Sequence, residues 1–444
     1  MRQRGAGAMK ICLVYVAVGV AGFNKNRPLG DLEGGWIGHG IASIGACVKH
    51  AGYDLTLIDM RQLSGPEEFE ELVSSLHCDV YGLSTAPIDY KNSIMAAKVI
   101  RKTCPDAKIV VGGIHPTLFP ERYSEAKGGT LFDVVVVGEG EITFIDILND
   151  MTKGKKIPKV VYGIKPDLDR IPVVDRELFD YKFELNGTFI PGQPLPSVTI
   201  LAGRGCPYKC LYCQPAENSV FGKPFRIRSA EKVIDELLCL KEKYHHKNII
   251  FWDDTFTFDR KWVMKFCDLY ENAGIGSSII ACSRSNIICK NEDMIKRLAE
   301  IGLKWFVIGF ESGSQRLLDM IKKGITVEQN IRAAEICRKY GIKIIGTYMY
   351  GLPTETPEES IETLEMIKTI KPDQPMPFWF VPIEGTEIYS MCKDMNIIIE
   401  GNQTVERTGK YIPRLKGIDY ELLSGILYVE AHNVELDELV VMTK

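Results

Sequence analysis

The sequence predicts an α/β protein in two parts. A Rossmann-like doubly wound domain is expected over residues 1–150 and a partial (β/α)6 TIM-like barrel over residues 197–395. A linker at 151–196 joins them, and a short helical tail follows at 396–444. Three observations predict this. Short apolar, β-branched runs alternate with helix-like stretches in both halves, which is the pattern of parallel sheets covered by helices. The alternation breaks once, where prolines stand at 158, 166, 172, 191, 194 and 196 and mark a connecting segment. The chain has 444 residues, 45% of them hydrophobic, which exceeds one ordinary domain and suffices for real cores.

In the first half the strand-like runs are 11–16, 54–58, 80–84, 109–111 and 134–137, with helices expected at 40–51, 67–76, 93–103 and 143–153. The apolar stretch 11–23 behind Lys10 resembles the middle of a signal peptide. It is too short to span a bilayer and runs into glycines at 30, 34, 35, 38 and 40, so it is expected to be the first buried strand. No other segment is a candidate membrane span. In the second half, strand-like runs begin near Val198, Asn248, Ser278, Lys304, Lys343 and Pro377. Two helix starts are sharp. Thr356 with Pro357 and Glu359 combines an N-cap, a first-turn proline and a capping-box acid, and Thr326 with Gln329 repeats the cap. Between Ser229 and Tyr244, Val233, Ile234, Leu237, Leu238 and Lys241 are expected on one helical face, the lysine snorkelling. A tail helix is expected around 420–431.

Fifty-four basic against 58 acidic residues give a net charge of −4, which excludes a basic nucleic-acid footprint as the main activity. Thirteen cysteines, an odd number scattered through predicted elements, do not form a secreted disulfide framework. They suit a reducing compartment, hence a cytoplasmic location.

The strongest chemical signal is Cys206, Cys210 and Cys213 in the run Gly203-Arg204-Gly205-Cys206-Pro207-Tyr208-Lys209-Cys210-Leu211-Tyr212-Cys213, just after the first strand of the second half. Three thiolates in a glycine-led loop suit a cubane iron–sulfur cluster, since such clusters are held by cysteine sulfur. Three ligands for four irons leave one coordination position open, as reactive metal sites require. The alternative is structural zinc, with a fourth ligand from Cys239, His245 or His246.

On these residues the chain resembles a radical S-adenosylmethionine (SAM) enzyme of the subfamily with an N-terminal cobalamin-binding domain. The likeness extends over about residues 10–395. It implies that Cys206, Cys210 and Cys213 hold a 4Fe–4S cluster whose open iron is chelated by the methionyl amine and carboxylate of SAM. One electron then cleaves the sulfonium to a 5′-deoxyadenosyl radical. Tyr212 takes the aromatic position beside the adenine. Asp253 and Asp254, in Phe251-Trp252-Asp253-Asp254, resemble the acidic pair that helps hold the methionyl amine. Arg284, in Ser283-Arg284-Ser285-Asn286, is similar to the arginine that meets the carboxylate, a match of guanidinium geometry. Glu311, in Gly309-Phe310-Glu311-Ser312-Gly313, resembles the ribose-contacting glutamate, and the run from Gly346 to Pro353 the adenine-contacting backbone. Each position alone is weak; together at consecutive strand ends they are strong, because barrel chemistry gathers there. Pro382-Ile383-Glu384-Gly385-Thr386 departs from the family's Pro-x-Pro-Gly-Thr at Glu384.

In the first half, Gly112-Gly113-Ile114-His115 and Gly138-Glu139-Gly140-Glu141 resemble the cobalamin-domain signatures. With Gly34, Gly35, Ser84 and Thr85 they are the expected cofactor contacts. Glycine lets backbone approach a corrin or its nucleotide tail closely. No histidine stands in the Asp-x-His-x-x-Gly pattern that supplies a ligand to cobalt, so His115 is expected as a loop or nucleotide-side residue and cobalt without a histidine ligand.

The resemblance implies methyl transfer from methylcobalamin to an unactivated carbon or phosphorus of a small-molecule or biosynthetic-intermediate substrate. It also implies a flavodoxin- or ferredoxin-type electron donor, with no nucleic acid partner and no membrane span. Competing readings are a ring-forming, ring-contracting or oxidative member of the same family, an iron–sulfur electron carrier, and a cobalamin-binding module.

Overall fold

A computed structural model describes residues 9–18, 22–23, 36–125, 130–179, 185–213, 221–222, 225–399 and 414–432. The chain divides into two compact units, residues 1–198 with 216–228, and residues 199–215 with 229–444.

The first unit is built on strands β1 (Lys10–Tyr15), β2 (Asp54–Asp59), β3 (Val80–Ser84), β4 (Lys108–Gly112), β5 (Val134–Val137) and β6 (Val160–Tyr162). They form one parallel sheet in the order β2-β1-β3-β4-β5-β6. Its principal helices are α1 (His39–His50), α2 (Pro66–Leu76), α3 (Tyr90–Thr103) and α4 (Glu141–Thr152). Side chains alternate across a pleated strand, so each strand feeds two cores. Cys12, Val14, Ile109 and Val111 pack with Phe69, Val73 and Ala97 of α2 and α3. Ile11, Leu13, Val110 and Val134 pack with Ile41, Val48, Phe144 and Ile147 of α1 and α4. The sheet is therefore doubly wound, with the Rossmann-like layering the sequence predicts. Its strand order turns at β1 and β3, the switch point where such folds bind ligands.

The expected linker holds an element that its prolines concealed. Val160–Tyr162 is the edge strand β6, paired in parallel with β5. Three residues are too few to show a period, so the sequence reading passed over them. Beyond it Asp175 donates its N–H to Ala42 O at 3.3 Å and pairs with Lys49 at 2.6 Å. This segment thus packs on the first unit.

The second unit carries β7 (Ser197–Ile200), β8 (Asn248–Phe251), β9 (Ser278–Ser283), β10 (Leu303–Glu311), β11 (Lys343–Tyr350) and β12 (Gln374–Trp379), side by side in sequence order. Pairs from β8 to β12 are parallel. This is the wall of a (β/α) barrel with six strands, so successive carboxyl ends open on one side. Helix α5 (Ala230–Tyr244) starts at Ser229, whose hydroxyl accepts from Lys232 N. Leu240, rather than the expected Leu238, joins its buried face; Leu238 is exposed. The spacing 233, 237, 240 keeps one stripe over about two turns, and 238 lies off it. Both predicted capping boxes form, Thr326 with Gln329 and Thr356 with Glu359. The tail helix is Tyr420–His432. Among the described residues no helix is long and apolar enough to cross a membrane.

Candidate functional site

The cysteine loop leaves β7 and is fastened before its first cysteine. Asp253, two residues beyond β8, is 2% exposed, and its carboxylate accepts from Ala202 N at 3.0 Å and Gly203 N at 2.5 Å. Burial pushes this carboxyl up to about 7, against the pull of the two N–H donors, and the Asp254 charge adds to the rise. Farther along, Leu211 donates its N–H to Ile321 O at 2.9 Å and accepts from Ile388 N at 3.2 Å. Cys213 N bonds Cys210 O at 3.1 Å in a tight turn. Cys206 Sγ lies 3.8 Å from the Thr255 hydroxyl. Cys210 is buried, Cys206 half-buried and Cys213 exposed.

The sequence reading placed Asp253 and Asp254 together on a ligand amine. The structure commits both Asp253 oxygens to backbone, so this residue anchors the loop, while Asp254 is exposed.

The other expected residues gather around the second and third cysteines. Arg284, 6% exposed, lies over the Tyr208 ring with 3.6 Å to its centroid and donates to Cys210 Sγ at 3.6 Å and to the Lys323 carbonyl. Its Nε and the Asn286 Oδ1, at the same strand end, are buried with no hydrogen-bond partner among the described residues. Glu311 Oε1 accepts from Tyr212 Oη at 3.1 Å and from Lys323 Nζ at 2.6 Å, and Lys323 also donates to Tyr212 Oη at 3.0 Å. Burial first, then the Glu311 charge, raises the Tyr212 phenol and keeps it a donor. Lys323 escaped the sequence reading because Lys322-Lys323-Gly324 looks like a solvated turn; no sequence signal marks it.

In the first unit the strand ends are tied to one another. Thr85, next after Ser84 at the end of β3, donates its N–H to Gly112 O at 2.9 Å and accepts from His115 N at 3.1 Å. Gly113 has φ +106°, and a Cβ there would lie 2.7 and 2.8 Å from Thr85 O and N. Only glycine fits both the angle and the approach. The Thr85 hydroxyl is buried without a partner among the described residues. Thr117, not singled out from the sequence, donates to Gly113 O at 2.7 Å and accepts from Gly138 N at 2.9 Å, joining β4 to β5.

His115 and Glu139 were expected to touch a cofactor, and both are used internally. The His115 ring is 4% exposed, with Nδ1 2.7 Å from Tyr123 Oη and Tyr90 and Phe119 at 4.8 and 5.0 Å between centroids. The Glu139 side chain is 2% exposed and pairs with Arg226 at 2.5 Å. Gly140 precedes the first turn of α4. Gly34 and Gly35 lie outside the described residues.

The donor set suits a cluster better than a single ion. Among the described residues no three His, Cys, Asp or Glu side chains, the three cysteines included, stand close enough together to form a closed metal cage. His246, an alternative zinc ligand, is buried, with its ring nitrogens 3.0 Å from Ser277 Oγ and 3.3 Å from Leu237 O. Three thiols on one anchored loop, one facing a guanidinium, fit a cubane, and Arg284 Nε and Asn286 Oδ1 offer unmet polar groups beside it. At the switch point of the first unit, the Thr85 hydroxyl, buried without a partner among the described residues, is a polar group that a cofactor tail could meet.

Comparison with known proteins gives the same two parts. Residues 29–148 match the B12 binding domain model and residues 200–367 the radical SAM superfamily model. The chain is 28% identical over 406 residues to an uncharacterized methyltransferase of Pyrococcus horikoshii, covering 87% of this chain and 85% of that protein. It is 26% identical over 387 residues to an anaerobic magnesium-protoporphyrin IX monomethyl ester cyclase of Rubrivivax gelatinosus, covering 82% and 68%. Two solved structures share its fold. The radical SAM methyltransferase TsrM from Kitasatospora setae, with cobalamin and a 4Fe–4S cluster bound, has a TM-score of 0.67 and 16% identity, covering 88% of this chain and 78% of that one. The cobalamin-dependent radical SAM enzyme OxsB, with aqua-cobalamin and SAM bound, has a TM-score of 0.72 and 16% identity, covering 96% and 67%.

Proposed function

This chain belongs to the radical SAM superfamily and carries a B12-binding domain ahead of its barrel, and from that membership we propose that it transfers a methyl group to an unactivated carbon or phosphorus of a small-molecule substrate. The observation that carries the proposal is the array of cysteine loop, Arg284, Asn286 and Glu311 at the carboxyl ends of β7, β9 and β10, with Arg284 Nε and Asn286 Oδ1 lacking partners among the described residues. When bound, the cluster supplies the electron that cleaves SAM to a 5′-deoxyadenosyl radical, and cobalamin supplies a cobalt centre able to carry a methyl group.

The chain's own residues position and select. Cys206, Cys210 and Cys213 hold the cluster. Arg284 presents its open Nε to the methionyl carboxylate, and Glu311 accepts from the ribose hydroxyls. Ser84, Thr85, Gly112, Gly113 and Gly138 line the cobalamin tail. A flavodoxin- or ferredoxin-type protein in a reducing cytoplasm donates the electron. The naming of the Pyrococcus relative as a methyltransferase favours methyl transfer; that of the Rubrivivax relative favours ring formation as the second reading.

The test is anaerobic reconstitution with iron, sulfide and hydroxocobalamin, followed by mass spectrometry of cell-extract metabolites. A product heavier by one carbon and two hydrogens is expected, and Cys210→Ala abolishes SAM cleavage. A dehydrogenated or cyclised product with no added carbon overturns methyl transfer, and undiminished cleavage by Cys210→Ala overturns the cluster site.

A further inference from the structure

Lys323 sits where its two polar ends reach different parts of the second unit's site. Its carbonyl accepts from Arg284, and its ammonium, 7% exposed, meets Glu311 Oε1 at 2.6 Å and the Tyr212 hydroxyl at 3.0 Å. Tyr212 donates to the same Oε1 at 3.1 Å. One carboxylate oxygen is thus held by two donors, while Oε2 has no hydrogen-bond partner among the described residues.

Three local features mark the arrangement. Glu311 has φ +65°, and Ser312 N reaches back to Phe310 O at 2.9 Å, a γ-turn with a left-handed centre that a glutamate adopts only under constraint. The β10–β11 register shifts at this point, between Gly309 and Glu311. Glycine at 309 leaves the room these side-chain ends occupy, since a Cβ would run into Glu311 Oε1 and lie 2.9 Å from Lys323 Nζ. A buried ion pair by itself returns little net stability. A strained turn and a broken register around one such pair are not explained by stability. They are explained if the direction of the carboxylate matters.

We propose that Lys323 is a positioning residue for Glu311. Its ammonium, with the Tyr212 hydroxyl, locks Oε1 and leaves Oε2 directed as the acceptor for a vicinal diol, the ribose of bound SAM. This rests on the function proposed above. Lys323 itself touches no ligand in this account.

The test measures equilibrium SAM binding and steady-state SAM cleavage on the full chain with its cluster reconstituted. It compares wild type, Lys323→Met, Lys323→Arg, Glu311→Ala and the Lys323→Met/Glu311→Ala pair. Removing one charge-assisted bond corresponds to a loss of about tenfold or more. Lys323→Met should weaken SAM binding by about that factor, raise KM with little change in kcat, and keep the wild-type iron content. Lys323→Arg should restore binding most of the way, and Lys323→Met should cost nothing further once Glu311 is alanine. Wild-type affinity in Lys323→Met overturns the proposal. So does an equal loss in both backgrounds, which would mean that the lysine meets the ligand directly. If Lys323→Met does not fold, a folded Lys323→Arg that binds no better than Glu311→Ala overturns it as well. A wild type that loads its cluster but binds no SAM refutes the underlying function instead.

Discussion

Replacing Asp253 by alanine should empty the cluster site while barely changing global stability at alkaline pH. The residue holds Ala202 N and Gly203 N at 3.0 and 2.5 Å, four and three residues before Cys206. Each N–H left unpaired in the interior costs about 1–3 kcal/mol, so losing both costs roughly 2–6 kcal/mol. An opposing term has similar size. The carboxyl is raised from 3.8 to about 7, so keeping it ionised at pH 8 already costs the native state on the order of 4 kcal/mol, which alanine removes. The two terms nearly cancel in total stability, but removing the charge does not restore the bonds, and the start of the cysteine loop comes loose. The informative assay is therefore iron per chain after anaerobic reconstitution, with urea denaturation at pH 8 as the control. The expected result is a midpoint near wild type and iron far below the roughly four per chain of a filled cubane. If Asp253 instead held the methionyl amine, as the family resemblance suggests, the variant would load normally and lose only SAM affinity. That result would refute the anchoring role.

Two further outcomes follow from groups outside the chemistry. Burial pushes the Glu355 carboxyl up to about 7 although Ser360 Oγ, Leu352 N and Gly351 N all donate to it. A raised carboxyl contributes its stability fully below the unfolded value of 4.5 and loses it as pH rises through about 7, so the stability difference between wild type and Glu355→Gln should fall between about pH 5 and about pH 8. A flat difference by chemical denaturation would show that the group titrates normally. His115→Ala should cost about 2–4 kcal/mol through lost packing against Tyr90, Phe119 and Tyr123, while the absorption and EPR spectra of bound cob(II)alamin keep the same cobalt coordination; a changed coordination would make His115 a ligand.

What the sequence revealed is what local pattern controls. Alternating side chains in β1, β4 and β5 gave the doubly wound layering, and the cap at Thr356 marked a helix start to the residue. The Cys206 loop and the acids at the ends of β8 and β10 were legible because strand ends follow from where apolar runs stop. Three-residue β6 was not legible, since no period fits in it. Neither were Lys323 and Thr117, whose partners lie 12 and 21 residues away in Glu311 and Gly138 and are brought near only by the packed sheet.

Two acids that the sequence places at strand ends, Asp253 and Glu311, show where local reading stops. Asp253 and Glu311 both stand at carboxyl ends of strands in one sheet, and both are nearly buried. A buried carboxylate must satisfy its oxygens or lose its charge. Asp253 satisfies each on the backbone of the chain leaving β7, which fastens the loop that carries the thiols. Glu311 satisfies one on Lys323 and Tyr212, and its second oxygen has no hydrogen-bond partner among the described residues. The same residue chemistry is thus divided between fastening the cysteine loop and leaving one carboxylate oxygen without a hydrogen-bond partner among the described residues. That division is set by which hydrogen-bond donors the fold supplies at each strand end, not by the acid or its place in the motif.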